Sequence, residues 1–179
     1  MQTRTDPARA GRNDQVRGFE PVAAPDARIL VLGSMPGVAS LRQARYYAHP
    51  RNAFWPIAAS VFGFDPGLDY AGRLRSLQAA GVALWDVLQA CDRPGSLDAD
   101  IRADTLVAND FGAFLARHPA IVRICFNGGK AASLYRRHVL PGVAASVEYL
   151  ALPSTSPAHA AASFDQKLAA WSRALKLRD

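Results

Sequence analysis

The chain has 179 residues, half of them hydrophobic and a fifth charged, which excludes a largely disordered chain and predicts one globular domain. Its two cysteines, Cys91 and Cys125, stand apart and form no CxxC pair, which excludes a zinc ribbon and a cysteine-bound iron–sulfur cluster. The net charge of +6 is uneven: residues 27–60 carry four arginines and no acid, residues 61–110 are net −4, and residues 111–179 are net +6. A fold that joins the two basic segments would turn positive potential toward a phosphate backbone.

No apolar run approaches the roughly 18 residues of a membrane span, and the N-terminus lacks the apolar core of a signal peptide. A cytoplasmic protein without membrane contact is expected. Residues 1–26, rich in Arg, Asp, Pro and Ala without apolar periodicity, read as a flexible leader, and residues 27–179 as a single domain. Arg28–Gly33 is a short apolar run ending in Gly, the pattern of a buried parallel strand. Asn52–Phe62 reads as a helix with Asn52 at its N-cap, Pro56 in its first turn and Gly63 as its stop. A helix from Tyr70 to Ala80 leads through Gly81 into a strand, Val82–Trp85, and Phe111–Arg117 forms another helix. Ile121–Phe126 is the next strand, Asn127-Gly-Gly opens a helix through His138, and Val147–Leu152 is the fourth strand. The last helix carries Phe164, Leu168, Trp171 and Leu175 as one apolar stripe, with Lys167 off it.

Four strands alternating with helices predict an α/β fold, a three-layer α/β/α sandwich around a central four-stranded, mainly parallel sheet. Ligands of such sheets bind beyond the carboxyl ends of the strands. The candidate site is therefore Gly33-Ser34-Met35-Pro36-Gly37 with its extension to Trp55, then Trp85-Asp86, Asn127-Gly-Gly-Lys130, and Pro153-Ser154-Thr155-Ser156. The first loop fits neither a dinucleotide fingerprint nor a P-loop. Its glycines would let a ligand approach backbone amides. The Ser/Thr loop reads as a phosphate clamp at a helix start, against the alternative of an ordinary turn, and Lys130 adds a charge beside the glycine turn.

Between them, Tyr46-Tyr47-Ala48-His49-Pro50-Arg51-Asn52-Ala53-Phe54-Trp55 is the densest cluster of aromatic and polar side chains. Flipped nucleobases are held by such stacking, but Phe54 and Trp55 read as core, His49 as a turn residue and Asn52 as a cap.

The run GSMPGVASLRQARYYAHPRNAFWPIA, together with LPSTSPAHA near the C-terminus, resembles the uracil-DNA glycosylase superfamily, specifically its sixth family of hypoxanthine-DNA (deoxyinosine) glycosylases. GVALWD is similar to that superfamily's base-recognition strand, and CFNGGK to the FNGK segment of its mismatch-specific members. The resemblance covers about residues 27–177. It implies a monofunctional DNA glycosylase of base excision repair that hydrolyses the N-glycosidic bond of a deaminated base, hypoxanthine or uracil, without cofactor or metal. It further implies damaged DNA, single- or double-stranded, as the partner, in a bacterial-type, nucleoid-associated cytoplasmic setting; no signature of oligomerisation is readable, and a monomer is the default expectation.

Residue by residue, Met35 stands where superfamily members usually carry a catalytic Asp or Asn, and the resemblance passes that task to Asn52. Tyr47 matches the aromatic that stacks on the base, and Asp86 the position where uracil-specific members carry a base-reading amide. Ser34, Met35, Trp85 and Asn127 complete the implied base pocket, while Gly33, Pro36, Gly37, Lys130, Ser154, Thr155 and Ser156 are implied to hold DNA phosphates. The amides of Ser34 to Gly37 would also meet charge on the departing base. The residue that fills the hole left by the base is implied near Pro157–His159, where no Leu or Arg stands. Two other classes compete: a non-catalytic binder of damaged or abasic DNA, motivated by Met35, and a phosphate-ester enzyme, which lacks a metal-ligand cluster.

Overall fold

The structure is a computed structural model that describes residues 14–143 and 146–177. In chain order its elements are β1 (Gln15–Arg17), β2 (Ile29–Gly33), α1 (Val38–Gln43), α2 (Phe54–Phe62), α3 (Tyr70–Ala79), β3 (Val82–Asp86), β4 (Leu88–Asp92), β5 (Val107–Ala108), α4 (Phe111–Arg117), β6 (Arg123–Asn127), α5 (Gly129–His138), β7 (Glu148–Leu152) and α6 (Phe164–Leu175). The central sheet has the order β3-β2-β6-β7, every pair parallel.

The strands are apolar almost throughout because the sheet is covered on both faces. Alternate residues divide between two cores. Leu30, Leu32, Ala83, Trp85, Ile124 and Phe126 face Phe111 and Phe114 of α4 and Tyr135 of α5. Ile29, Val31, Val82, Leu84 and Cys125 face Phe54 and Ile57 of α2, Leu77 of α3 and Trp171 of α6. Each fully buried aromatic contributes about 1.5–3 kcal/mol relative to exposure, so the period-2 pattern of the strands and the helix stripes together hold the three layers.

β3 runs through Val87 into β4, which belongs to a second, antiparallel sheet of order β1-β4-β5. This sheet corrects the expected leader. Residues 14–26 are built into the domain: β1 pairs with β4, Val22 bridges to Leu84, and the carbonyls of Phe19 and Glu20 accept hydrogen bonds from the Trp85 indole and the Tyr46 hydroxyl, both at 3.0 Å. Residues 1–13 lie outside the described part. Backbone pairing and two buried donors that need acceptors fix a segment whose composition alone reads as unstructured.

Two further expectations shift. The helix after Asn52 starts at Phe54 with Ala53 at its cap. In α6 the stripe is rotated: Phe164 is 44% exposed whereas Lys167 is 6% exposed. Its aliphatic stem is buried while its Nζ donates to the His159 carbonyl at 2.9 Å, the way a long cationic side chain covers apolar surface.

Candidate active site

Parallel register brings four strand ends to one edge. Gly33 lies beside Asp86, Leu32 beside Phe126, and Asn127 beside Leu152. Beyond this edge lies a cavity of about 550 Å³, walled by segments 33–40, 46–52, 96–98, 127–130 and 154–159. That volume falls within the range of small-ligand sites.

The floor holds a buried carboxyl. Asp86 is 3% exposed, and burial, seconded by the nearby charge of Asp98 and opposed by Arg93, pushes its carboxyl up to about 7. A Cβ at position 33 would overlap Asp86 Oδ1, so only glycine leaves the carboxyl its place. The Tyr47 hydroxyl lies close by, 3.6 Å from that same Cβ position. Burial, and then Asp86, hold the phenol of Tyr47 protonated. Neither Tyr47 Oη nor Asp86 Oδ2 has a hydrogen-bond partner among the described residues, although both atoms are out of reach of bulk water. Two such orphans in one place are unusual, because buried polar atoms are nearly always paired. Tyr47 is also held at φ +54°, a left-handed conformation costly for a bulky residue and concentrated at functional sites. Its ring packs on Phe54 with centroids 4.2 Å apart.

Asn52 lines the cavity wall. Its Oδ1 accepts the Phe54 N–H at 2.9 Å, which caps α2 from one residue outside the cap position and fixes the amide's orientation. Its carbonyl oxygen keeps a second lone pair. The mount is Thr155, only 1% exposed: its carbonyl accepts the Ala53 N–H at 3.0 Å, its N–H donates to Asn127 Oδ1, and its Oγ1 accepts from Asn127 Nδ2, both at 2.8 Å. One buried threonine thus ties the end of β6 to the start of α2. Thr155→Val leaves the Asn127 amide short of an acceptor, an expected loss of about 1–3 kcal/mol. A fall in Tm of about 2–10 °C follows for a domain of this size, and an unchanged melting curve would contradict the tie.

Residues 20–176 match the family model described as the Uracil DNA glycosylase superfamily. The chain belongs to that superfamily. It is 35% identical over 144 residues to the Hypoxanthine DNA glycosylase of Methanosarcina acetivorans, covering 80% of this chain and 87% of that one. Against the Hypoxanthine DNA glycosylase of Methanosarcina barkeri it is 37% identical over 115 residues, covering 64% and 72%. It also resembles the solution NMR structure of a proposed uracil DNA glycosylase from Methanosarcina acetivorans, with a TM-score of 0.76 at 32% identity over 90% of this chain and 96% of that one. As a member of the superfamily the chain is a DNA glycosylase, and the α/β/α sandwich expected from its sequence is the fold it has.

Several roles that the superfamily resemblance implied meet a different geometry. Trp85 does not line the cavity; its ring packs on Phe111 and Phe114, with centroids 5.0 and 4.9 Å away, because neighbours along a strand point to opposite faces. Thr155 is no phosphate ligand, since its polar groups are engaged and buried. Asn127 lines the cavity; Thr155 engages its Oδ1 and one N–H of its amide, which leaves the second N–H toward Tyr47. Gly33 and Pro36 line the cavity but are buried, Gly33 against the Asp86 carboxyl and Pro36 with its carbonyl accepting from Arg93. No helix starts at Pro153–Ser156, because α6 begins at Phe164; Ser154 and Ser156 instead cap turns, accepting the N–H groups of Ser156 and Ala158. Ser34, Met35 and Gly37 do line the cavity, as does Lys130, which is exposed beside the N-terminus of α5. Gly128 turns the chain there at φ +100°, where a side chain would press on Ser154 at 3.0 Å.

A further wall was not anticipated from the sequence. Ser96, Leu97 and Asp98 of the β4–β5 loop reach the cavity. The Ser34 hydroxyl donates to Asp98, and Arg93, 2% exposed, sits behind. The signal was present in Arg93-Pro-Gly-Ser, a turn closing a strand that a reading stopped at Asp86 does not extend.

Proposed function

We propose that this glycosylase is monofunctional and releases hypoxanthine first and uracil second, from a nucleotide flipped into the 550 Å³ cavity. The observation that carries the reading is the polar floor of that cavity, where the Asp86 carboxyl and the Tyr47 hydroxyl lie together among the lining residues and the side chain of Asp86 is taken up by no other described residue, which suits it to the edge of a base. A neutral Asp86 donates to the carbonyl of hypoxanthine or uracil and accepts the adjacent ring N–H. Ionised, it still accepts that N–H but faces a lone pair on adenine or cytosine. Guanine shares the hypoxanthine edge and differs by an amino group, so its exclusion falls to the shape of the wall.

Asn52 orients the water that attacks the anomeric carbon. The glycosidic bond breaks with its electron pair going to the base nitrogen, the sugar passes through an oxocarbenium-like state, and the water oxygen bonds to the anomeric carbon; the proton that water loses passes to solvent and the departing base takes one up from solvent. The products are the free base and an abasic site. The N–H groups of Met35 and Gly37 hydrogen-bond to no other described residue, and they can meet charge growing on the base. Lys130, the start of α5 and the hydroxyls of Ser154 and Ser156 grip flanking phosphates. With lysines only at 130, 167 and 176, and Lys130 on the rim, a lyase step has no amine at the sugar.

The non-catalytic alternative is not favoured. It rested on Met35, 6% exposed, whereas the oriented amide of Asn52 supplies the acceptor a methionine lacks. We read the protein as a monomer acting in the cytoplasm without metal or cofactor; no helix among the described residues is long and apolar enough to cross a membrane. Labelled duplexes carrying one hypoxanthine, one uracil or only normal bases, treated with alkali after incubation, test the assignment. Cleavage at hypoxanthine is expected to exceed that at uracil, with none at normal bases; tight binding to abasic DNA without cleavage of any duplex would overturn it.

A further inference from the structure

We infer that the groove sharing segment 46–52 with the base cavity is a second DNA subsite, in which Arg45 and Arg73 clasp a phosphate of a nucleotide neighbouring the flipped one. The inference rests on the reading that a nucleotide of DNA enters that cavity. The groove has a volume of about 440 Å³. Tyr46, Tyr47, His49 and Asn52 line both hollows, so a strand with one nucleotide in the cavity brings an adjoining phosphate within reach of the groove.

The groove holds its two cations in place. The Tyr70 and Trp55 rings meet edge to face with centroids 5.9 Å apart, and each carries a guanidinium: Arg45 lies 5.5 Å from the Tyr70 centroid and Arg73 5.9 Å from that of Trp55. Such a seat fixes a charge without neutralising it. Arg73 is oriented further, its Nε donating to the Leu68 carbonyl at 2.9 Å and its Nη2 to that of Pro66 at 3.0 Å, which leaves Nη1 unspent. Ala44, at φ +50°, ends α1 and turns the chain at Arg45. The next N–H, of Tyr46, donates to the Tyr70 hydroxyl at 2.9 Å, so the loop bearing one arginine is fastened to α3, which bears the other.

Neither arginine belongs to an ion pair among the described residues. Asp69, the one carboxylate lining the groove, spends Oδ1 on the Gly72 N–H at the start of α3, and the groove stays net positive. His49 adds a donor to the shared wall: its Nδ1 accepts the Arg51 N–H at 3.1 Å, which puts the proton of the neutral ring on Nε2. Guanidinium forks match the oxygens of a phosphate diester, and side chains already seated lose little freedom on binding one. Arg45 is one of four arginines in the acid-free segment 27–60, and the groove gives part of that excess charge a ligand.

The test measures the affinity of the full chain for a duplex that carries a stable abasic analogue, with one linkage of the lesion strand at a time made an uncharged methylphosphonate. At one linkage beside the lesion the unmodified chain is expected to bind about three- to ten-fold more weakly. Arg45→Gln is expected to lose a similar factor on the all-phosphate duplex, to be indifferent to the change at that linkage, and to flatten the slope of log affinity against log salt by about one. Arg45 is exposed, so its replacement spares the fold. Arg73→Gln is expected to act in the same way, and Arg73→Lys, which keeps the charge, to recover most of the affinity. Losses that simply add at every linkage overturn the inference. So does the absence of a sensitive linkage; if Arg45→Gln then abolishes saturable binding of deoxyadenosine monophosphate, the groove belongs to a free nucleotide instead. Binding is read without base release, so a chain that shows the coupled linkage but frees no hypoxanthine overturns the proposed activity and leaves the subsite standing.

Discussion

Asn52→Ala is expected to lower base release by about 10²–10³-fold, some 3–4 kcal/mol of transition-state stabilisation, while DNA affinity stays within a few-fold. The amide has two tasks, because its oxygen also accepts the Phe54 N–H, and alanine forfeits that cap for a loss of about 1 kcal/mol in stability. Asn52→Asp separates the two. It keeps the acceptor, hence both the cap and a ligand for water, and should restore the melting temperature and hold release within about ten-fold of the unmodified chain. Single-turnover kinetics beside thermal unfolding distinguish these effects, and full activity in Asn52→Ala would remove Asn52 from the reaction.

The second large effect concerns pH. If neutral Asp86 supplies the proton that meets the base carbonyl, release should slow about ten-fold between pH 6 and pH 8, as a carboxyl titrating at about 7 ionises. Discrimination against adenine should move the other way, because only the ionised form confronts its ring lone pair. Asp86→Asn, a donor and acceptor at every pH, should flatten the rate profile. Stability follows with its own sign: a carboxyl raised from 3.8 to about 7 on folding is bound to its proton more tightly in the native state, so its contribution is complete below about pH 4 and lost as pH rises through 7. Asp86→Asn escapes that loss. It should exceed the unmodified chain by up to about 4 kcal/mol at pH 8 and match it near pH 4 in urea titrations. A rate profile that is level across this range in the unmodified chain would show that Asp86 does not act through its proton.

The parallel sheet was legible because burial on both faces writes each strand as an apolar run, with glycine or helical stretches between the runs. The site followed from one rule, that ligands gather at the carboxyl edge of such a sheet, which placed Ser34, Asp86 and Lys130 around one cavity. Strands of two or three residues such as β1 and β5 carry no period to read, and their pairing depends on partners far along the chain. Side-chain ties were equally hidden: nothing in Asn127 or Thr155 announces that they satisfy each other across 28 positions. Trp85 could have been set aside, since a strand cannot turn it and Asp86 into the same cavity. The raised pKa of Asp86 required the fold, because its first cause is burial, and Asp98 and Arg93 come beside it only through the β4–β5 loop.

The N-terminal segment also bears on how the protein reaches this state. Gln15 pairs with Asp92, so β1 waits for a partner 77 positions downstream, and closing so long a loop is entropically slow relative to forming helices. The first described residues thereby dock no earlier than β4 is in place. Until they do, the Trp85 indole and the Tyr46 hydroxyl lack their acceptors at Phe19 and Glu20. These are the immediate neighbours of Asp86 and Tyr47, so the floor of the cavity is complete only once the N-terminal segment has docked.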